Sequence, residues 1–134
     1  MKKLLIPAVI LLMCAVSCSK WVFCAADETP PKIVATVPAD GDTAVDPGLA
    51  ELSVTFDEPM KDKNWSWCYE NPETFPKMTG DPRYEDGFKK CVLPVQLEPD
   101  KEYVIWFNMA EYKNFKDCAG NPLEPVRISF KTAP

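Results

Sequence analysis

Histidine is absent from this 134-residue chain. The side chain that most often serves as a general base near neutral pH is therefore unavailable. No Cys-x-x-Cys pair occurs and there is no imidazole, so the sequence lacks the ligand pattern of a four-ligand structural zinc site. Basic clusters are lacking too. Three of the 15 basic residues, Lys2, Lys3 and Lys20, precede Asp27, and none of the 20 acidic ones do. Residues 27–134 thus carry 12 basic against 20 acidic side chains, a net charge of −8. So acidic a surface excludes nucleic acid as a charge-driven partner. There is no internal repeat, no low-complexity tract and no stretch that joins helical periodicity to helix caps. Hydrolysis needs a nucleophile with a base, or two placed carboxylates. Asp57 and Glu58 are the nearest such pair, but adjacent strand residues point to opposite faces. Pro59-Met60 after them reads as a turn. The chain is read as a non-enzyme with no cofactor.

What is present begins with residues 1–26, which have the form of an export leader. Lys2 and Lys3 make a positive start, and Leu4 to Val16 is apolar but too short to be read first as a membrane span. Ala15-Val16-Ser17-Cys18 resembles a lipobox, with Cys18 as the lipidated residue, although Ala15 stands where leucine is usual. Cys24-Ala25-Ala26 fits ordinary signal-peptidase cleavage before Asp27. A lipid-anchored protein, a freely secreted one and an uncleaved anchor all stay open. Residues 27–134 form a single domain.

Within that domain apolar residues recur with period two, in short runs broken by Pro, Gly, Asp and Asn, the pattern of antiparallel β structure. Ile33, Ala35 and Val37 predict the inward face of a first strand, and Leu52, Val54 and Phe56 that of a second. Asn64 to Glu70 predicts a third strand with Trp65, Trp67 and Tyr69 on one face. Pro72 to Gly87 reads as irregular, with a short edge strand within Phe75 to Met78. Cys91, Leu93, Val95 and Leu97 predict a long strand that Pro94 places at a sheet edge or on a bulge. Tyr103 to Met109, apolar on both faces, predicts a central strand. Ala110 to Pro125 reads as a long loop before Val126, Ile128 and Phe130. Leu97-x-Pro99-x-x-x-Tyr103 has the spacing of a tyrosine corner. One strand ends at Leu97, Pro99 turns the chain, and the Tyr103 hydroxyl reaches back to the turn backbone. About seven strands with such a corner predict an all-β, Greek-key antiparallel sandwich of the immunoglobulin type.

Four motifs then resemble one family, the bacterial Ig-like domains of the kind found in S-layer proteins (SbsA-type). They are Pro31-x-Ile33 with Pro38-Ala39-x-Gly41, and Leu52-x-Val54-x-Phe56-x-Glu58-Pro59-Met60. Leu97-x-Pro99-x-x-x-Tyr103-x-Ile105 follows. The last is Asp117-x-x-Gly120-Asn121-Pro122-Leu123 with Phe130-Lys131-Thr132. The resemblance spans about Pro31 to Thr132 and implies a sandwich in an extracytoplasmic place, not a reaction. Asn64 to Lys90 departs from it, being rich in Trp, Tyr and Pro.

Three constellations are candidates for chemistry. Trp65 or Tyr69, completed by Tyr84, Tyr112 and Phe115, could form a platform that stacks on sugar rings or anchors a protein. The same spacing also suits core, since an Ig-type sandwich expects a buried tryptophan on its third strand. Cys68 and Cys118 fall on neighbouring elements, so a disulfide between them is possible, with Cys91 a small buried hydrophobe. Asp117 and Asn121, with Asp57 or Glu58, could offer oxygens to calcium. The alternative for Asp117 to Asn121 is turn chemistry, with Asp capping, Gly at positive φ and Asn bonding backbone. The chain is therefore expected to be a non-catalytic cell-envelope module for structure, adhesion or protein or glycan binding. The alternative is an accessory or inhibitor domain that docks on a secreted enzyme.

Overall fold

The alternating segments do become strands. The computed structural model describes residues 27–134, so the leader and Cys18 lie outside the described residues. Eight strands follow in order: β1 Ile33–Val37, β2 Glu51–Phe56, β3 Trp67–Cys68, β4 Lys77–Met78, β5 Arg83–Glu85, β6 Lys90–Gln96, β7 Glu102–Phe107 and β8 Val126–Lys131. One 3₁₀ turn, Pro72–Thr74, follows β3 and is capped by the Asn71 side chain. One antiparallel sheet has the order β1-β2-β6-β4, with β5 also paired to β6, and the other is β3-β7-β8. Leu52, Val54 and Phe56 of β2 and Cys91, Leu93 and Val95 of β6 share one core with Tyr103, Ile105 and Phe107 of β7 and Ile128 and Phe130 of β8. Burial of apolar area at about 25 cal/mol per Å² between the two sheets is what holds them together.

The eighth strand arises because one edge of the larger sheet is split. Gly80-Asp81-Pro82 interrupts it, so β4 and β5 pair with different ends of β6. This also explains Pro94, which lies inside the sheet and not at its edge. The Val95 N–H bonds to the Ala50 carbonyl on the β2 side. Main-chain donors alternate in direction along a strand, so the donor that Pro94 lacks would face the interruption. Its carbonyl there accepts the Thr79 N–H at 3.0 Å.

β1 departs from its expected face. Its register slips between Ile33 and Ala35, and a bulge of this kind reverses the alternation beyond it. Thr36 becomes half-buried, while Ala35 is exposed and Val37 is 50 % exposed. After β1 the chain crosses to the other sheet, where residues 41–45 run along β8. The Gly41 N–H bonds the Ser129 carbonyl at 2.7 Å, and the Val45 N–H bonds the Lys131 carbonyl at 3.1 Å. That segment covers the free edge of β8.

Two buried polar side chains tie loops to this frame. The Tyr103 hydroxyl accepts the Glu98 N–H at 2.8 Å, closing the corner, and its ring stacks on Phe130 at 5.4 Å. Asn108, fully buried just past β7, takes a left-handed φ of 63° that asparagine tolerates. Its Nδ2 donates to the Phe115 and Leu123 carbonyls, and its Oδ1 accepts the Phe115 N–H. The two residues differ in what they leave behind when removed. Tyr103→Phe is expected to cost about 1 kcal/mol, one hydrogen bond at a part-buried site. Asn108→Ala leaves three buried main-chain groups without their side-chain partner and should cost about 3 kcal/mol. Urea denaturation of both variants tests the ranking, and a Tyr103→Phe loss as large as that of Asn108→Ala would contradict it.

Candidate functional site

The third strand is regular over only two residues, and this decides the fate of its aromatics. Trp67 is opposite Phe107 and packs edge-on against Phe107 and Phe115, at 5.1 and 5.9 Å between centroids. It is the tryptophan of the sandwich core. Its indole N–H points at the Cys91 thiol and has no nitrogen or oxygen partner. Burial pushes that thiol up to about 12, and the indole contact only partly opposes it. Trp65 is half-buried against Tyr84 at 6.3 Å. Tyr69, beyond the end of β3, is 47 % exposed and leans on Phe75 at 5.4 Å. The expected single face of three aromatics is thus divided by the early end of the strand.

Where β3 faces the split edge formed by β4 and β5, a cleft of about 440 Å³ opens. Trp65, Trp67, Tyr69, Met78, Met109 and Tyr112 line it with Ser66, Cys68, Pro82 and Asn114. No side chain in this lining is an acid, a lysine or an arginine. The Met109–Tyr112 turn, closed by reciprocal N–H to carbonyl bonds of 2.9 and 3.0 Å, holds Tyr112 at the rim, 58 % exposed. Ser66 is buried beneath it, its hydroxyl accepting the Asn114 N–H at 3.0 Å. Met78 and Met109 are flexible, polarisable side chains of the kind that adapt to varied partners. A second hollow of about 600 Å³ lies across Tyr69 and differs in kind, for Glu73, Lys77, Glu98 and Lys101 enter its lining.

The residues expected on an aromatic surface therefore separate. Tyr69 and Tyr112 line the cleft and are open to solvent. Tyr84 is half-buried, and its hydroxyl donates to the Asn64 carbonyl at 2.6 Å, which makes it a support under Trp65. Phe115 is no surface residue. It is fully buried, 5.4 Å from Phe56, because Asn108 draws the loop inward at Phe115. Met78 and Met109 were not anticipated, and only their topological placement reveals them. The Cys68–Cys118 bond is not formed. Cys68 is a buried free thiol whose Sγ donates to the Ser66 carbonyl at 3.5 Å, and Cys118 belongs to another disulfide.

The acidic residues assemble elsewhere. Asp27, Glu58 and Asp117 bring carboxylate oxygens within 4.8 Å of one another. Asp57 is turned away and accepts the Lys32 N–H. Asp117 is 1 % exposed, and Asn121 occupies both its oxygens, through its N–H at 2.8 Å and its amide at 2.9 Å. The Asn121 amide also donates to the Asp27 carbonyl at 2.7 Å, and Gly120 takes a φ of 94°. The segment thus performs the turn chemistry weighed against calcium. Asn121 spends its amide on hydrogen bonds, which leaves Asp27, Glu58 and Asp117 to share their surplus negative charge.

Two antiparallel sheets, a tyrosine corner and a core tryptophan on the third strand define an Ig-like sandwich. The model of the bacterial Ig-like domain matches residues 27–132, and the chain belongs to that family. Among solved structures it is similar to surface layer protein SbsC, domains 1–6. The identity is 21 %, the TM-score 0.49, and the match covers 79 % of this chain and 14 % of that one. It is also similar to the S-layer protein rSbsC(31-844), with 21 % identity, a TM-score of 0.48 and coverage of 78 % and 14 %. The chain thus spans about one seventh of those proteins. No curated protein matches it in sequence.

Glu58 reports the carboxylate cluster. Desolvation first, then its hydrogen bond and charge repulsion with Asp117 and Asp27, raise its carboxyl to about 7. A raised carboxyl binds its proton more tightly folded than unfolded. Its contribution is complete below the unfolded pKa near 4.5 and is lost as pH rises through about 7. Because Glu58 is only partly buried and water screens it, the loss between pH 5 and 8 should be on the order of 1 kcal/mol. Glu58→Gln should flatten that part of the profile, as read by denaturation at each pH. An unchanged slope in Glu58→Gln would place the proton elsewhere.

Proposed function

We propose that the protein is a non-catalytic, exported cell-envelope module that binds a partner in the cleft between β3 and the split β4–β5 edge. One observation carries this. The cleft gathers exposed Tyr69, Met78 and Tyr112 around a lining without formal charge, and exposed apolar patches of this kind are characteristic of interaction sites. A non-catalytic role is supported by the absence of histidine. The carboxylate cluster does not replace it, since Asp117 is buried and both its oxygens are engaged. Export is supported by the form of the leader and by the disulfide at Cys118, a bond that persists in oxidising compartments.

The partner is an envelope protein or glycan. Tyr69→Ala/Tyr112→Ala, altering two exposed side chains, should keep stability within about 0.5 kcal/mol. It should lose at least tenfold in binding to the organism's own envelope fraction, about 1.4 kcal/mol. Protease treatment of that fraction separates the two partner classes. Undiminished binding by the double variant would remove the cleft from the function.

Anchoring belongs to the same reading. We place the lipid on Cys18, where the apolar stretch of the leader ends. Labelled palmitate should enter the wild type and not Cys18→Ser, and a mature N-terminus at Asp27 would refute it.

A further inference from the structure

Among the described residues the large exposed hydrophobic side chains are five: Val34, Val37, Tyr69, Met78 and Tyr112. They are not scattered. Val34 and Val37 belong to β1, and the other three line the cleft. β1 is one outer strand of the larger sheet, and β4 and β5 lie on the far side of β6. The two patches therefore sit at opposite ends of one sheet and cannot meet within a single copy.

Both patches are also sheet edges. Just before β3 the Ser66 carbonyl accepts the Asn108 N–H, and on it Trp67 and Cys68 stand opposite Phe107 and Trp106. In an antiparallel ladder hydrogen-bonded pairs alternate with non-bonded ones. The main-chain groups of Trp67 then point away from β7, to the open flank where the cleft lies. Among the described residues β1 pairs with β2 along one side only. From Ile33 to Val37 it carries no charged residue and no proline, two of the devices that discourage edge pairing, and beyond its bulge Ala35 to Val37 keep a regular register. The fold does protect an edge elsewhere, since residues 41–45 cover β8. An uncharged apolar strand at one end thus matches an uncharged, adaptable cleft with outward main-chain groups at the other.

We propose that β1 of a second copy enters the cleft and pairs with β3, linking copies head to tail through a heterologous contact. The inference rests on the cleft being a binding site and names its occupant. Because the two surfaces differ, the contact does not close on itself as a two-fold dimer does, and it propagates into a row of copies.

Sedimentation of the purified full chain in mild detergent tests this, with two single variants. Val37→Lys blocks the strand and leaves the cleft intact, and Met78→Lys does the reverse. The wild type should grow beyond a dimer with rising concentration, and each variant alone should remain a monomer. An equimolar mixture of the two should give a 1:1 heterodimer and nothing larger, because one good surface remains on each partner. Hydrogen exchange guards against a folding defect, since the amides of β1 and of Trp67 should gain protection with concentration in the wild type alone. A wild type that stays monomeric up to about 1 mM, beyond which contacts are negligible in strength, would overturn the inference. So would a closed dimer, or a variant mixture that does not associate. If the wild type is monomeric yet Val37→Lys still binds the envelope fraction, this inference fails and the cleft keeps its role for another partner.

Discussion

The side chain of Asn108 governs most of what lies outside the two sheets. β7 ends there, and the residue turns the chain out of the sheet at a positive φ while its amide stays fully buried. Its three side-chain bonds reach both runs of the following loop, at Phe115 and at Leu123. A buried amide so fully satisfied rigidifies its surroundings, because within the core any alternative leaves a polar group without a partner. Phe115 is thereby driven between Phe56, Trp67 and Phe107. The segment before it, pinned again by Ser66 at Asn114, projects Tyr112 over the cleft. The segment after it brings Asp117 to Glu58, with the Cys118 N–H bonded to the Pro59 carbonyl. Cleft and carboxylate cluster are two ends of one loop hung from one amide.

This explains which parts of the molecule were legible in sequence. Period-two alternation in β2, β6 and β8 reports burial on one face, and burial is the dominant energy, so those strands and the corner at Tyr103 follow from pattern alone. The family resemblance rests on the same residues. β1 defeats the pattern because a single bulge reverses it, and no residue type announces that bulge. Pro94 misleads for a different reason. Its missing donor calls for an unpaired flank, and a break in the neighbouring strand supplies one within the sheet as well as an edge does. Phe115 falls in the long loop from Ala110 to Pro125, and nothing local to it reveals that Asn108 captures it.

The site was half visible. Tyr112 could be named because it falls in a loop, and Tyr69 because it stands at the end of the predicted third strand, next to the irregular run from Pro72. Met78 and Met109 could not, because an isolated methionine carries no periodicity, and its exposure depends on which strand ends beside it. The carboxylate cluster was visible at Asp117, Asn121 and Glu58 but not at Asp27, 90 residues away from Asp117 in sequence and joined to it only through the fold.

The split outer edge of the larger sheet connects these failures to the cleft. A continuous strand opposite β6 would bring a regular edge alongside β3 and narrow the flank between the sheets. Gly80-Asp81-Pro82 instead divides it, Met78 ends one piece, and Pro82 turns into the next. The interruption tolerates Pro94, exposes Met78 and leaves room for Tyr69 to stand beyond the end of β3. It lies in the Trp-, Tyr- and Pro-rich stretch from Asn64 to Lys90. The alternating strands build the sandwich, and this irregular stretch opens its flank. A cleft made this way costs the core little, because Leu52, Leu93, Ile105 and Phe107 are closed over before the flank begins.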